Sequence, residues 1–374
     1  MTTSISGTGG ITFPDGSVQS AAASPYTLKN KIINGSMVID QRNAGASVTP
    51  TASAYVLDRY RATMSQASKY SVQQSSTAPS GFVNSLLVTS ASAYSLSSTD
   101  QFTVEQYVEG LNIADLGWGT ASAQTVTLSF WVRSSLTGTF GGALKNSAQD
   151  RCYPYSYTIN SANTWEQKTV TIAGDTTGTW LTTNGIGIRV GFNLGTGATY
   201  QATAGAWTGT SFITAPTGAT SVVSTNGATF YITGVQLEIG TSATPFERRL
   251  YNQELANCQR YYYRLFPAVT GNTFALGFAS STVAVPAALS FPVEMRIAPT
   301  ALDQQGTANT YAVSDTVTVT SCSAVPTLAG GLTNTKTGGV IFTVASGLTL
   351  YRPYRVQTDT TNGATAYLGW SAEL

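Results

Sequence analysis

The stretch Ile186-Gly187-Ile188-Arg189-Val190-Gly191-Phe192-Asn193-Leu194 decides the fold. Its apolar side chains alternate with Gly, Arg, Gly and Asn, the period of two that lays one set on a core and the other on the opposite face of a strand. Val126, Leu128, Phe130 and Val132 repeat the pattern against Thr127, Ser129, Trp131 and Arg133, and Val235, Leu237 and Ile239 do so against Gln236 and Glu238. Gly, Asn, Pro and Asp turns separate such runs at short spacing, and no helix-strand alternation appears. The pattern predicts an all-β chain whose main unit is a jelly-roll β-sandwich, an arrangement that closes most sheet edges. At 374 residues the chain has room for at least two cores.

The expected division is a short N-terminal segment over 1–25, the jelly roll over 26–250, a connecting helix over 251–265 and a smaller β domain over 266–374. In the first segment Ile11, Phe13 and Val18 flank Pro14-Asp15-Gly16, a tight turn in which Pro presets φ and Gly accepts positive φ. So short a piece cannot bury its own apolar side chains, so it is expected to pair with copies of itself or with another protein. The connecting helix rests on Tyr251, Leu255, Cys258 and Tyr262 at helical spacing, preceded by Thr244-Pro245-Phe246-Glu247 in capping-box form. One amphipathic face of this kind either packs on its own domain or meets two copies about a three-fold axis. In the last domain Val317 and Val319, then Val340, Phe342 and Val344, carry the strand pattern.

Charge and reactive residues narrow the function. Charged residues make up 10% of the chain, the net charge is +1, and Gly, Ser and Thr fill the surface positions. Such a surface has no field to steer it onto phosphates or anionic lipid, which argues against nucleic acid as a partner. No apolar run reaches the roughly 20 residues of a membrane span, so no membrane insertion is expected. The first 28 residues hold no Lys or Arg and no apolar signal core, and folding in a cytoplasm is expected. There is no His, which removes the commonest general base and zinc ligand together. Cys152, Cys258 and Cys322 are far apart and are expected to be buried thiols. The expectation is therefore no enzyme, no metal centre and no cofactor, with a structural Ca²⁺ in Asp- and Asn-bearing loops left open.

Three motifs carry a family resemblance. Gly9-Gly10-Ile11-Thr12-Phe13-Pro14-Asp15-Gly16-Ser17-Val18-Gln19 resembles the glycine-led segment that recurs in bacteriophage tail fibres and other appendages. Ile33-Asn34-Gly35-Ser36-Met37-Val38-Ile39-Asp40-Gln41-Arg42 with Leu57-Asp58-Arg59-Tyr60 forms the second motif. Gly234-Val235-Gln236-Leu237-Glu238-Ile239-Gly240 running into Thr244-Pro245-Phe246-Glu247 forms the third, followed by Glu254-Leu255-Ala256 and Cys258-Gln259-Arg260-Tyr261-Tyr262. Together they are similar to the carbohydrate-binding-module-like jelly roll of phage fibre and minor structural proteins. The resemblance implies a virion component, commonly a homotrimer, docked through its N-terminus on tail or capsid proteins and binding host surface polysaccharide. A head fibre, decoration protein or tail adaptor with a purely structural role is the alternative. An uncharged polar surface on a chain without an export signal suits a particle that assembles inside a cell and leaves by lysis.

The resemblance marks scaffold positions and no sugar-contacting set. Sugar binding lays a pyranose face on an aromatic ring while amides and carboxylates take its hydroxyls. The candidate rings are Trp118, Tyr153, Tyr155 and Trp207 in turn contexts and Trp131 facing out of a strand, each weighed against a ring that pins a loop to its own core. Glu105 and Glu109 share a strand face about 13 Å apart, too far for either glycosidase arrangement. Asp58 with Arg59 and Arg61, and Glu238 with Glu247, Arg248 and Arg249, are expected to be structural ion pairs.

Overall fold

A computed structural model describes residues 29–315 and 317–374, together with the backbone of three short strands, Ser4–Ser6, Gly10–Thr12 and Val18–Gln19. Those three pair antiparallel, with Thr12 opposite Val18. The turn residues Phe13, Pro14, Asp15 and Gly16, and the side chains of Ile11 and Val18, lie outside the described residues.

The sandwich has eleven principal strands: β1 (Ala54–Leu57), β2 (Tyr60–Met64), β3 (Tyr70–Ser75), β4 (Ser85–Ser90), β5 (Gln101–Glu109), β6 (Val126–Ser134), β7 (Gly138–Lys145), β8 (Cys152–Ile159), β9 (Glu166–Ile172), β10 (Ile186–Thr196) and β11 (Thr229–Ile239). Six of them form one sheet in the order β8-β7-β10-β5-β2-β1, and five form the other in the order β9-β6-β11-β4-β3. The chain crosses repeatedly between the two sheets, the jelly-roll habit. Ile188, Val190, Phe192 and Leu194 face the core as their alternation predicts, against Val126, Leu128, Phe130 and Val132 from the facing sheet. Close approach fixes one glycine: a Cβ on Gly142 would strike the Tyr155 hydroxyl, which donates to Gly191 O at 2.9 Å.

The second β domain begins earlier than its sequence suggests. Helix α1 covers Tyr251–Gln259 and stops there. Tyr262 belongs to strand β12 (Tyr262–Leu265), paired with the last strand of the chain. The remaining strands are β13 (Thr273–Phe278), β14 (Ala284–Ser290), β15 (Leu302–Gln304), β16 (Tyr311–Ser314), β17 (Val319–Ser321), β18 (Ala324–Leu328), β19 (Thr337–Thr343), β20 (Pro353–Thr358) and β21 (Leu368–Ser371). They form a seven-stranded sheet, β17-β16-β20-β13-β14-β19-β18, and a three-stranded one, β12-β21-β15. Val340, Phe342 and Val344 are core residues, whereas Val317 is 86% exposed at a hairpin tip and Val319 lies on an edge strand. Two residues of alternation cannot distinguish a core strand from an edge.

The helix start also departs from expectation. Leu250 is the N-cap residue, without a side-chain cap bond. Glu247 instead accepts the backbone N–H groups of Lys29 and Asn30, at 3.2 and 2.8 Å. The expected trimer face dissolves with it: Tyr251 is exposed and Leu255 half-buried, but Cys258 and Tyr262 are buried within the protomer. All three cysteines are buried free thiols.

Polar groups join the domains. Arg59, in the β1–β2 turn, is buried and donates to the Glu373 carboxylate and to Tyr107 O, with the Tyr261 ring 3.6 Å from its guanidinium carbon. Arg42 donates to the same Glu373 at 3.1 Å and lies over the Tyr262 ring. Asp58 therefore does not pair with Arg59 or Arg61; it accepts from Gln41 N and Nε2 at 2.6 and 2.5 Å. Glu238 likewise takes Thr244, Gln236 and Lys29, while Arg249 bridges Glu247 and Glu254.

Two measurements test this junction. Glu373→Gln leaves the buried Arg59 and the half-buried Arg42 without their counter-charge and is expected to destabilise the chain by about 3 kcal/mol in chemical denaturation; an unchanged midpoint contradicts the assignment. Burial pushes the Asp58 carboxyl up to about 6 against the pull of Arg42 and the Gln41 hydrogen bonds. A carboxyl raised on folding contributes its stability fully below its unfolded value of about 4 and loses it as pH rises through the folded value. Relative to Asp58→Asn, the wild-type chain should lose on the order of 2 kcal/mol between about pH 4 and pH 7.5. A difference independent of pH would show that Asp58 titrates normally.

Candidate functional site

Most of the candidate rings turn inward. Trp118, Trp180 and Trp207 meet edge to face, with centroids 4.7 to 5.3 Å apart, and Tyr153 packs on Trp207 at 5.2 Å. Each indole N–H donates to a backbone carbonyl: Trp118 to Gln124, Trp180 to Thr177 and Trp207 to Ala173. Rings with packed faces and satisfied donors pin loops and offer no platform. Trp118, Tyr153 and Tyr155 are buried, and only Trp207 keeps a partly open side. As ligand-stacking residues the first three are therefore corrected to core residues.

Trp131 has a different setting. Strand β6 buries Phe130 and Val132, so Trp131 and Arg133 fall on the outer face of the five-stranded sheet. Trp131 pairs with Gln167 on β9 and Thr233 on β11. Under it, Gly234 adopts φ +61 at a bulge, and a Cβ there would strike both Phe82 and Trp131, so the glycine lets the rings settle on the backbone. One row further along, Arg133, Tyr231, Leu87 and Gln73 cross four strands side by side. The Arg133 guanidinium lies 5.1 Å from the Tyr231 ring centre, and Trp165 meets Tyr231 edge to face at 6.0 Å. All six side chains are half-buried, and Gln167 and Thr169 stand exposed beside them.

This face therefore holds three rings, one aliphatic side chain, one guanidinium and two amides, with hydroxyls from Thr89, Thr169 and Ser71. Apolar ring faces with convergent neutral donors and acceptors suit a hydroxyl-rich, uncharged surface. The sequence reading reached Trp131 and missed Tyr231, Arg133 and Trp165. The alternation Phe230, Tyr231, Ile232, Thr233 would have placed Tyr231 outward by the rule that placed Trp131. Trp165 precedes its strand and carries no periodic signal.

Two concavities lie beside α1. A cleft of about 430 Å³ is lined by Lys31, Leu111, Asp115, Gln253 and Asn257 among others, and a smaller one of about 180 Å³ includes Phe246 and Tyr251. Lys31 and Asp115 pair at 2.6 Å in the larger, which has no aromatic wall. The carboxylates are committed elsewhere: Glu105 pairs with Lys145 at 2.9 Å, and Glu109 accepts from Arg260 and Tyr261 at 2.7 and 2.6 Å. Among the described residues no group of three or more His, Cys, Asp or Glu side chains gathers as a metal site would require, and no helix is long and apolar enough to cross a membrane.

No protein-family model matches the chain, and no curated protein sequence matches it. Among solved structures it partly superposes on the enzymatically active domain of bacteriophage CBA120 tailspike protein 4, with 12% identity and a TM-score of 0.31, over 57% of this chain and 22% of that one. A CBM4 structure matches over 55% of this chain and 98% of its own, with 17% identity and a TM-score of 0.28. The family 11 carbohydrate-binding module of a Clostridium thermocellum cellulosomal cellulase matches over 54% and 99%, with 11% identity and a TM-score of 0.28. At these scores the likeness is partial, and the sandwich rests on this chain's own strand order.

The two aromatic groups should respond differently to truncation. Trp118→Ala opens a cavity in a packed cluster and is expected to cost about 3–5 kcal/mol. Trp131→Ala removes a half-exposed ring and should cost under about 1.5 kcal/mol. Thermal unfolding of the two variants checks the contrast, and equal losses would mean that Trp131 is a core residue.

Proposed function

We propose that this chain is a non-catalytic subunit of a bacteriophage appendage, a trimeric tail fibre that docks through residues 1–25 and binds host surface polysaccharide through the outer face of its five-stranded sheet. The observation that carries the reading is the strip of Trp131, Tyr231 and Trp165 flanked by Arg133, Gln73 and Gln167. Half-exposed aromatic rings take the apolar faces of sugar rings, and the flanking amides and hydroxyls take their hydroxyl groups. The three N-terminal and central motifs, which resemble those of phage fibre proteins, supply the setting. Absence of catalysis is supported by Glu105 and Glu109, each engaged by its own cation, with neither left to act as acid or base.

Purified protein is expected to adsorb to host cells and to their extracted surface polysaccharide. Trp131→Ala and Tyr231→Ala should each weaken that adsorption about 10-fold, the scale of one lost stacking contact, with the fold retained by circular dichroism. Undiminished adsorption by both variants would sink the proposed face, and no binding of the wild-type chain to any host surface would sink the reading itself. A stable monomer in a solution mass measurement would remove the trimer.

A further inference from the structure

The other sheet carries an imbalance of charge. On its outer face β5 places Thr103, Glu105 and Tyr107, β10 places Arg189, β7 places Lys145 and β2 places Arg61. Lys145 and Glu105 are buried and paired at 2.9 Å. Burial opposes ionisation of Glu105, but Lys145 and Arg189 hold its carboxyl below the usual carboxylate range. The Tyr107 hydroxyl accepts from Arg61 Nη1 at 3.0 Å and from Arg189 Nη1 at 2.7 Å, and the Arg189 guanidinium lies 4.4 Å from the Tyr107 ring centre. One carboxylate thus faces three cations.

Lys145 already neutralises Glu105. Among the described residues neither Arg61 nor Arg189 makes an ion pair, although both are half-buried. Their other recorded acceptors are neutral, Thr63 Oγ1 for Arg61 and Ser147 O for Arg189. Arg189 Nε is buried without a partner, and so is Thr103 Oγ1 on the same face. Two guanidinium groups fixed on one phenol oxygen repel each other, and partial burial denies them water that would screen the repulsion. An anion completing the pair removes that cost, and a planar carboxylate matches the fork of a guanidinium.

We propose that Arg61 and Arg189, held by Tyr107, bind the carboxylate of an acidic sugar, so that the polysaccharide recognised by this chain bears uronic acid. The proposal rests on the glycan-binding reading above and names the ligand class within it. The site lies on the opposite sheet from Trp131, so a chain can wrap the sandwich edge or two segments can bind at once.

The test titrates the full chain with sodium glucuronate, with glucose in sodium chloride of equal ionic strength, and with sodium sulfate, following the unfolding temperature. Glucuronate is expected to raise Tm over glucose by on the order of 2 °C. The rise should vanish in Arg61→Gln and in Arg189→Gln and persist in Val317→Ala, a change at an exposed hairpin tip of the second domain. Equal responses to glucuronate and glucose, or a rise retained in both arginine variants, overturn the proposal. A response to sulfate with none to glucuronate overturns it too, by making the site one for inorganic anions. Because the wild-type comparison needs no variant, a failure of either arginine variant to fold leaves the test decisive. Adsorption that depends on Trp131 in a chain indifferent to glucuronate would remove this inference and leave the glycan-binding reading standing.

Discussion

Arg59 is a charge buried at the join of two β domains, and its needs organise the surrounding chain. A guanidinium removed from water must find both counter-charge and hydrogen-bond acceptors. Its counter-charge is Glu373, next to last in the chain, an acceptor is Tyr107 O in the sandwich, and the Tyr261 ring just after α1 covers one face. A single side chain thereby ties the β1–β2 turn, the helix exit and the end of the second domain together. Arg42 repeats the arrangement beside it with the same Glu373 and the Tyr262 ring. The motifs around residues 33–42, 57–60 and 258–263 meet at this join: each supplies one part of the same buried network.

That network also explains what the sequence could and could not reveal. Period-two runs such as Ile188–Leu194 and Val126–Val132 reported the sandwich directly, because alternation is a local consequence of burial on one face. The partners of Arg59 and Asp58 are not local. Neighbouring opposite charges invited a pairing of Asp58 with Arg59, but Arg59 sits in the β1–β2 turn at φ +69 and its real partner stands more than 300 positions away. Helical spacing extended the helix to Tyr262 for a similar reason. Tyr262 fits a helical face, yet pairing of β12 with β21 decides its conformation, and no local signal records a partner at Ser371.

The candidate site was legible in the same uneven way. Trp131 was found because it lies within an alternating strand, whereas Trp118, weighed between a ligand platform and a loop plug, is a plug, and Tyr153 and Tyr155 lie in strand β8 and not in a turn, where both are buried. A ring in a turn has two fates, to face solvent or to fold back and fill the end of the sandwich. Tertiary packing chooses between them, since a large apolar face gains most by burial. Here Trp118, Trp180 and Trp207 seal one end against each other, a solution that needs three loops far apart in sequence and is invisible from any one of them.

Charge economy connects these observations. In a chain with so few ionisable groups, many are spent inside, as Lys145 with Glu105, Arg59 and Arg42 with Glu373, and Arg249 with Glu247 and Glu254. The outer surface is left to hydroxyls, amides and glycine. Among the described residues Arg61, Arg133, Arg189, Arg264, Arg296 and Arg355 are half-buried without an ion pair, so each needs another partner for its charge. Arg133 has one in the Tyr231 ring beneath it. Arg61 and Arg189 converge on the Tyr107 hydroxyl, while the Glu105 carboxylate on the same strand is already balanced by Lys145. A neutral ligand would leave that excess in place; an anionic one removes it, and Tyr107 already holds the two guanidinium groups on one oxygen.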